Sequence, residues 1–593
     1  MLSLPLLILA FSITRPGPLP APLLPPAFDG PATQGLAVDL ALRHPSRVPG
    51  SPGAFQAAQW FRDKLQPYGL PITADTWRQH VPGLGTVRLQ NLWAVAAGQS
   101  NDAIVVMAHR DDTGIGAGAD DDASGTATLI ELARGYAEPG TAVEQRVRAA
   151  HTVVFLSTDG GAYGGLGAAR FVRHLPFHVV AAINLDAIAG TGRPRIMIAG
   201  DAPRSPAATF VETAARRVLE QTGDRPGRTS FLGQLIDLGF PLTLYEQGPF
   251  VAHGLPALTL TTGGDRPPPA FGDRAGRLHE PKLAAIGRAA QELLGSLDQG
   301  LELTQGTTSF VWAGDRVIRG WSIELLLAAL LIPFAVAVVD LFARCRRRRI
   351  PLLPALHALR ARLGFWLFLG IAFYAFGLLG AWPHGARRPP NPAVAAAGDW
   401  PVLALTALTI VGLGAWVVAR HRLVPRRSLT PEERLAGDTA ALLCLAVVAL
   451  LVLATNPFAL LFVLPALHTW LWLPQVRTGK PPARALVFLA GLTGPLLVLL
   501  SLGVRLGLGF DAPWYLLELV GVGYVHLPAV AIALGGAACA AQLVAVSSGR
   551  YAPYPARHER PARGPLRELI RGVVLAVRAR RRVTEERRRA FGP

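Results

Sequence analysis

With 593 residues, of which 51% are hydrophobic and 17% charged, the chain is long enough for a soluble domain joined to a membrane region. Its three cysteines, Cys345, Cys444 and Cys539, all lie in or beside the apolar half, which excludes a disulfide framework and a cysteine-rich zinc module from the first half. The net charge is +18, but half of it sits in the tail from Arg550 to Pro593, with 13 Arg against 4 Glu. Basic charge beside apolar spans is explained by membrane topology and anionic headgroups, so no nucleic-acid partner is expected. The 55 Arg against 3 Lys, with a bias to Ala, Gly, Pro and Leu, reads as a bacterial high-GC composition.

Residues 1–27 form a signal-like or anchor segment, apolar from Leu2 to Ile13, followed by the proline-rich linker PGPLPAPLLPP. A second region, 28–310, has α/β patterning. Gln34 to Arg43, Ala54 to Tyr68 and Ala123 to Tyr136 read as helices. Val87 to Ala97, Ala103 to Ala108, His151 to Ser157 and Val179 to Leu185 read as strands. The alternation predicts a mixed, mostly parallel sheet with helices on both faces, whose site lies at the carboxyl ends of strands. His109, the segment after Ser157, and Asp186 all fall at such ends.

From 321 to 547 the chain predicts an all-α polytopic membrane domain of about seven helices, each near the length that crosses a bilayer. The basic clusters 345–349, 420–427 and 476–484 and the cytoplasmic tail 548–593 fall on one side if seven spans alternate, which leaves 28–310 outside the cytoplasm. Arg387, Arg388 and Arg505 fall on the opposite side and oppose that rule. Asp340, His468 and His526 could mark a transport path, but Asp340 is expected to pair with Arg344 one turn on. Leu566 to Val577 reads as an amphipathic surface helix.

The chemistry concentrates in AHRDDTGIGAGADDDASG (108–125), which places His109, Asp111 and Asp121 at the spacing of a zinc hydrolase. Such a site needs imidazole and carboxylate ligands, a second-shell acid to orient the ring, and a general base for the metal-bound water.

Seven ordered blocks carry a resemblance to the family-28 zinc metallopeptidases, the bacterial aminopeptidase type, over roughly Gln34 to Leu297. They include VPGSPGAFQAAQWFRDKLQPYGL, NLWAVAAG, VVMAHRDD, GADDDASGTATLIELAR, FLSTDGGAYGGLGAARF, INLDAIAG and QGPFVAHGLPALTL. The arrangement is also similar to multi-span endoplasmic-reticulum members of that family. The resemblance implies that His109, Asp121 and Asp186 are metal ligands, with Asp121 the bridging acid, and that Asp111 orients His109. The general-base glutamate is replaced by Gly161, and the second-metal ligands by Ala162 and Gln247.

Zinc, at most one ion, is therefore the expected cofactor. Loss of a general base alone typically costs about 10²- to 10⁴-fold, so no residue is expected to be catalytic. The reading is a membrane-anchored, metallopeptidase-like pseudoenzyme that binds a peptide or protein partner at the bacterial inner membrane. The alternative is a zinc-dependent aminopeptidase or other hydrolase that keeps activity through one zinc. Asp112, Asp120, Asp122, Asp159, Glu246 and His253 lie in the same loops; Asp120 and Asp122 read as loop solvation and helix-terminal charge, and His253 as packing. If only side chains were lost, restoring Gly161→Glu, Ala162→Glu and Gln247→His together should raise zinc from at most one to two per chain.

Overall fold

The computed structural model describes residues 7–8, 10–137, 149–300, 306–394, 400–476, 481–554 and 574–575. The amphipathic helix expected at Leu566 to Val577 lies outside the described residues apart from 574 and 575, which are helical. The strands in chain order are β1 Ile13–Thr14, β2 Ile72–Val81, β3 Gly85–Ala96, β4 Ser100–His109, β5 His151–Thr158, β6 His178–Leu185, β7 Arg195–Met197, β8 Ser205–Pro206, β9 Ala257–Thr261, β10 Thr307–Thr308, β11 Phe310–Ala313 and β12 Arg316–Arg319.

Seven of these build one sheet in the order β2-β3-β5-β4-β6-β9-β7. Its centre, β5-β4-β6-β9, is parallel, while β2 pairs antiparallel with β3, β3 with β5, and β7 with β9. The sheet is thus mixed, with helices on both faces, as the alternation of strands and helices predicts. Strand β2 had no sequence expectation because its burial alternates along an exposed edge, without the apolar run that marks the centre.

Period-two alternation divides β4 between the two faces. Ile104, Val106 and Ala108 pack under the helices Gly30–Arg43, Pro52–Leu65, Gly125–Arg134, Ala208–Thr222 and Glu280–Gln299. Val105 and Met107 pack under the helix Leu166–Arg173 with Phe171, Phe250 and Val251. A strand buried on both faces ends at His109, so that side chain starts from a rigid position.

After β12 the chain is helical. Six helices among the described residues are long and apolar enough to cross a membrane: Gly320–Arg347, Leu353–Leu378, Val402–Leu423, Pro431–Thr455, Pro457–Gln475 and Leu527–Ser547. The pair Pro482–Gly491 and Thr493–Arg505, bent by 58°, makes a seventh if counted as one broken span. The third of these helices leaves Leu403, Ile410, Leu413 and Val417 exposed, as a lipid-facing surface requires. Asp340 pairs with Arg344 at 2.6 Å, as the i,i+4 spacing predicts, and His468 Nε2 meets the Leu330 carbonyl at 3.0 Å.

Two of the three arginines that oppose the charge rule have partners in the α/β region. Arg505 lies 2.5 Å from Asp237 and 3.0 Å from Asp265, and Arg388 pairs with Asp201. Asn456, in the turn between the fourth and fifth helices, donates to the carbonyls of Leu238 and Gly239 at 2.9 and 3.1 Å. These contacts come from helix ends that lie on one side if seven spans alternate.

Candidate metal site

The site gathers at the carboxyl ends of β4, β5 and β6. His109 closes β4, Asp186 follows β6, and Asp121 comes from the acidic loop before the helix Gly125–Arg134. One ligand atom from each of His109, Asp121 and Asp186 lies within 4.8 Å of the other two. His109 Nε2 is 2.9 Å from Asp121 Oδ1 and 3.7 Å from Asp186 Oδ2. All three side chains are buried, and Asp186 Oδ1 is buried with no hydrogen-bond partner among the described residues.

One imidazole nitrogen, two carboxylates and an orphaned buried oxygen fit a single zinc ion. The same atoms without a cation form an electrostatically strained cluster. Burial pushes the Asp186 carboxyl well above the usual carboxylate range, and Asp121 beside it adds to the rise. Burial disfavours charge on His109, yet the Asp111 and Asp121 carboxylates hold its pKa well above the ordinary imidazole value. A metal must displace the protons so held. Zinc affinity is therefore expected to rise by about tenfold or more from pH 6 to pH 8, read by competition with a chromophoric chelator; an affinity flat across that window would contradict this arrangement.

Asp111 sits differently from a simple orienting partner. Its Oδ1 accepts from the Gly161 amide at 2.8 Å and its Oδ2 from the Ala162 amide at 3.1 Å. His109 Nδ1 is 3.1 Å from the Asp111 carbonyl oxygen and 3.5 Å from its Oδ1. The carboxylate thus ties the loop after β5 to the loop after β4.

That loop is closed against the metal ligand. A Cβ at Gly161 would lie 2.2 Å from His109 Cβ and 2.4 Å from its Cγ, closer than any real Cβ contact. Any side chain at 161, where the resemblance puts a general base, would therefore start in collision with His109 as it is placed here. Gln247 is also committed: its Nε2 donates to the Ala199 carbonyl at 2.9 Å and to Thr243 Oγ1 at 3.1 Å, and its Oε1 accepts from Thr259 Oγ1 at 2.6 Å. Its amide serves as a buried cross-link between β9 and neighbouring loops.

The other carboxylates differ in role. Asp122 corrects the reading as solvated loop charge: it is fully buried, and accepts from the amides of His109 at 3.1 Å, Gly125 at 2.9 Å and Ala187 at 3.3 Å. Asp120, half-buried by surface, accepts from the Ala189 amide at 2.7 Å, and burial raises its carboxyl to about 7. His253 is exposed, where the sequence reading expected packing, and its Nδ1 meets the Pro249 carbonyl at 2.8 Å. Glu246 stands apart: Oε2 accepts from Thr158 Oγ1 at 2.8 Å, while Oε1 is buried with no partner among the described residues.

Two supporting residues escaped the sequence reading. Arg47 is completely buried and donates to the carbonyls of Arg110, His44, Ala117 and Gly118 at 2.7 to 3.0 Å, and it pairs with Asp112 at 3.3 Å. Asp273 accepts from the amides of Asp120 and Asp121 at 2.8 and 3.0 Å. Neither has a local pattern, since each acts on a loop far away in the chain.

Residues 91–282 match the family model described as "Peptidase family M28". The α/β region therefore carries an M28 peptidase-family domain, the class the resemblance implied. Similar solved structures include a zinc aminopeptidase from Bacillus subtilis, at 12% identity and TM-score 0.38, covering 45% of this chain and 94% of that one. A glutaminyl cyclase from Porphyromonas gingivalis matches at 17% identity and TM-score 0.35, covering 45% of this chain and 98% of that one. A Zn-dependent exopeptidase from Parabacteroides distasonis matches at 15% identity and TM-score 0.37, covering 46% and 99%. No curated protein matches the chain.

Proposed function

We propose that this protein is a membrane-anchored M28-type domain that binds a peptide or protein segment without hydrolysing it, and that one zinc held by His109, Asp121 and Asp186 serves as a structural clasp between strand ends. The observation that carries this reading is the closeness of Gly161 to His109: a Cβ at 161 would lie 2.2 Å from His109 Cβ, so no side chain fits there while His109 stays where it is. When bound, zinc would supply Lewis acidity; the residues on the page offer the imidazole, the two carboxylates and the loop-to-loop tie of Asp111.

The domain is proposed to lie outside the cytoplasm of a bacterial inner membrane. Supporting this, the clusters 345–349 and 420–427 each place more arginines at one end of the apolar helices than Arg387, Arg388 and Arg505 place at the other.

The test is a zinc count on the purified full chain beside a panel of amino-acyl arylamides, with and without chelator. One zinc or fewer per chain and no chelator-sensitive turnover is the expected result. Turnover that chelator removes, and that His109→Ala abolishes, would overturn the binding reading.

One observation favours the second reading, a one-zinc hydrolase. Glu246 presents a buried carboxylate oxygen with no partner, and burial raises its carboxyl to about 7. Under that reading the turnover would also vanish in Glu246→Gln while zinc content stayed the same.

A further inference from the structure

Between the helices Leu353–Leu378 and Val402–Leu423 the chain crosses to the M28-type domain and lays Arg388, Pro389, Pro390 and Asn391, all buried, along the glycine loop 160–165. Each end of this segment is anchored. Arg388 Nε donates to the Gly164 carbonyl at 2.5 Å and its Nη1 reaches Asp201, which also accepts from the Tyr524 hydroxyl at 2.8 Å. Asn391 Nδ2 donates to the Ala162 carbonyl at 2.9 Å. From the other side, the Tyr515 hydroxyl donates to the Pro390 carbonyl at 2.8 Å and Arg266 Nη2 to the Pro392 carbonyl at 3.4 Å.

The loop is shaped to this neighbour. Gly164 has φ +87°, and a Cβ there would lie 2.4 Å from the Pro389 carbonyl oxygen, so only glycine admits so close a backbone. The two prolines have no N–H to satisfy and fix φ, so the segment docks through its main-chain carbonyls at low entropic cost. Val394 packs beyond them against the cluster of Val81, Leu89, Ala162, Tyr163 and Leu166.

We propose that loop 160–165, Asp201 and Arg266 form a docking surface for an Arg-Pro-Pro-x-Pro-like segment, and that its resident occupant is residues 388–392 of this same chain. An arginine enters beside Asp201, the prolines cross Gly164, and an amide side chain reaches the Ala162 carbonyl. A segment presented in trans to this surface must have the same chemistry and must displace the resident one. Because the occupant is tethered between two apolar helices, its release is tied to their positions. The inference rests on the reading of the domain as a peptide binder, but neither zinc nor hydrolysis enters it.

Hydrogen exchange on the full chain in detergent tests it. In Arg388→Ala/Asn391→Ala, amides in 160–165 should exchange about tenfold faster or more, with amides of β4 unchanged. A synthetic peptide of residues 386–393, ARRPPNPA, should reverse the increase, and the same peptide with both of those positions as alanine should not. If the double variant also loosens β4, Tyr515→Phe, which removes one hydroxyl, is read in the same way with the same peptides. Unchanged exchange in 160–165, or an increase that ARRPPNPA does not reverse, would overturn the proposal. Both results are independent of zinc content and turnover, so they leave the binding reading to its own assay.

Discussion

Gly161→Glu, Ala162→Glu and Gln247→His introduced together are expected to lower zinc content below that of the unaltered chain, not to raise it to two ions. The side chain at 161 would begin 2.2 Å from His109 Cβ, so His109 must move or the loop must open. Overpacking of this kind costs about 1–3 kcal/mol, and here the displaced group is a metal ligand. Gln247→His adds a second loss, because it removes the amide that bridges Ala199, Thr243 and Thr259. Gly161→Ala alone should show the steric effect in its simplest form. Metal analysis of the purified variants checks the expectation, and two zinc ions per chain in the triple variant would refute the closed-loop account.

Arg47→Ala should have the largest effect on stability. The guanidinium is buried, donates to four carbonyls and faces Asp112, so its removal leaves a buried carboxylate without its counter-charge and takes a donor from each of four carbonyls. Breaking a buried ion pair from one side costs about 3–5 kcal/mol, which corresponds to roughly 10 °C in melting temperature for a domain of this size. Two of the carbonyls, Ala117 and Gly118, lead into Asp121, so zinc affinity should fall with stability. Arg47→Lys should recover little, since one ammonium cannot replace a planar fork with donors in several directions. A melting temperature within 2 °C of the unaltered chain, a margin set by roughly 1 kcal/mol of ordinary surface effects, would show that the loop holds itself.

Much of the fold was legible because its signals are local. The central strands are short apolar runs ending in His109, Thr158 and Leu185, and the two helices that precede them carry their own caps, Asp29 and Ser51 accepting from Ala32 and Ala54. The apolar helices announce themselves by length and composition alone. Strand β2 did not, because an edge strand with one solvated face carries no continuous apolar run.

The candidate site was legible only in part. His109, Asp121 and Asp186 are brought together as their spacing around strand ends implies. Asp122, in the same acidic run, was misjudged because three adjacent aspartates look alike in sequence; only the turn of the chain directs one to the metal position and another into three buried amides. Arg47, Asp273 and the segment 388–391 had no sequence signal, since apart from the His44 carbonyl the site partners cited for them lie from 63 to 229 residues away along the chain.

By itself the sequence indicated the class of domain and the apolar helices, because ordered motif blocks and long apolar runs depend on residue identity and local spacing, while the metal-ligand positions came with the resemblance. What only the tertiary structure decided is what surrounds residues 161, 162 and 247: a Cβ at 161 would collide with His109, the Ala162 carbonyl accepts from Asn391, and the Gln247 amide links Ala199, Thr243 and Thr259. A missing side chain is visible in a sequence, but whether its volume stays open depends on the packing of residues far apart in the chain.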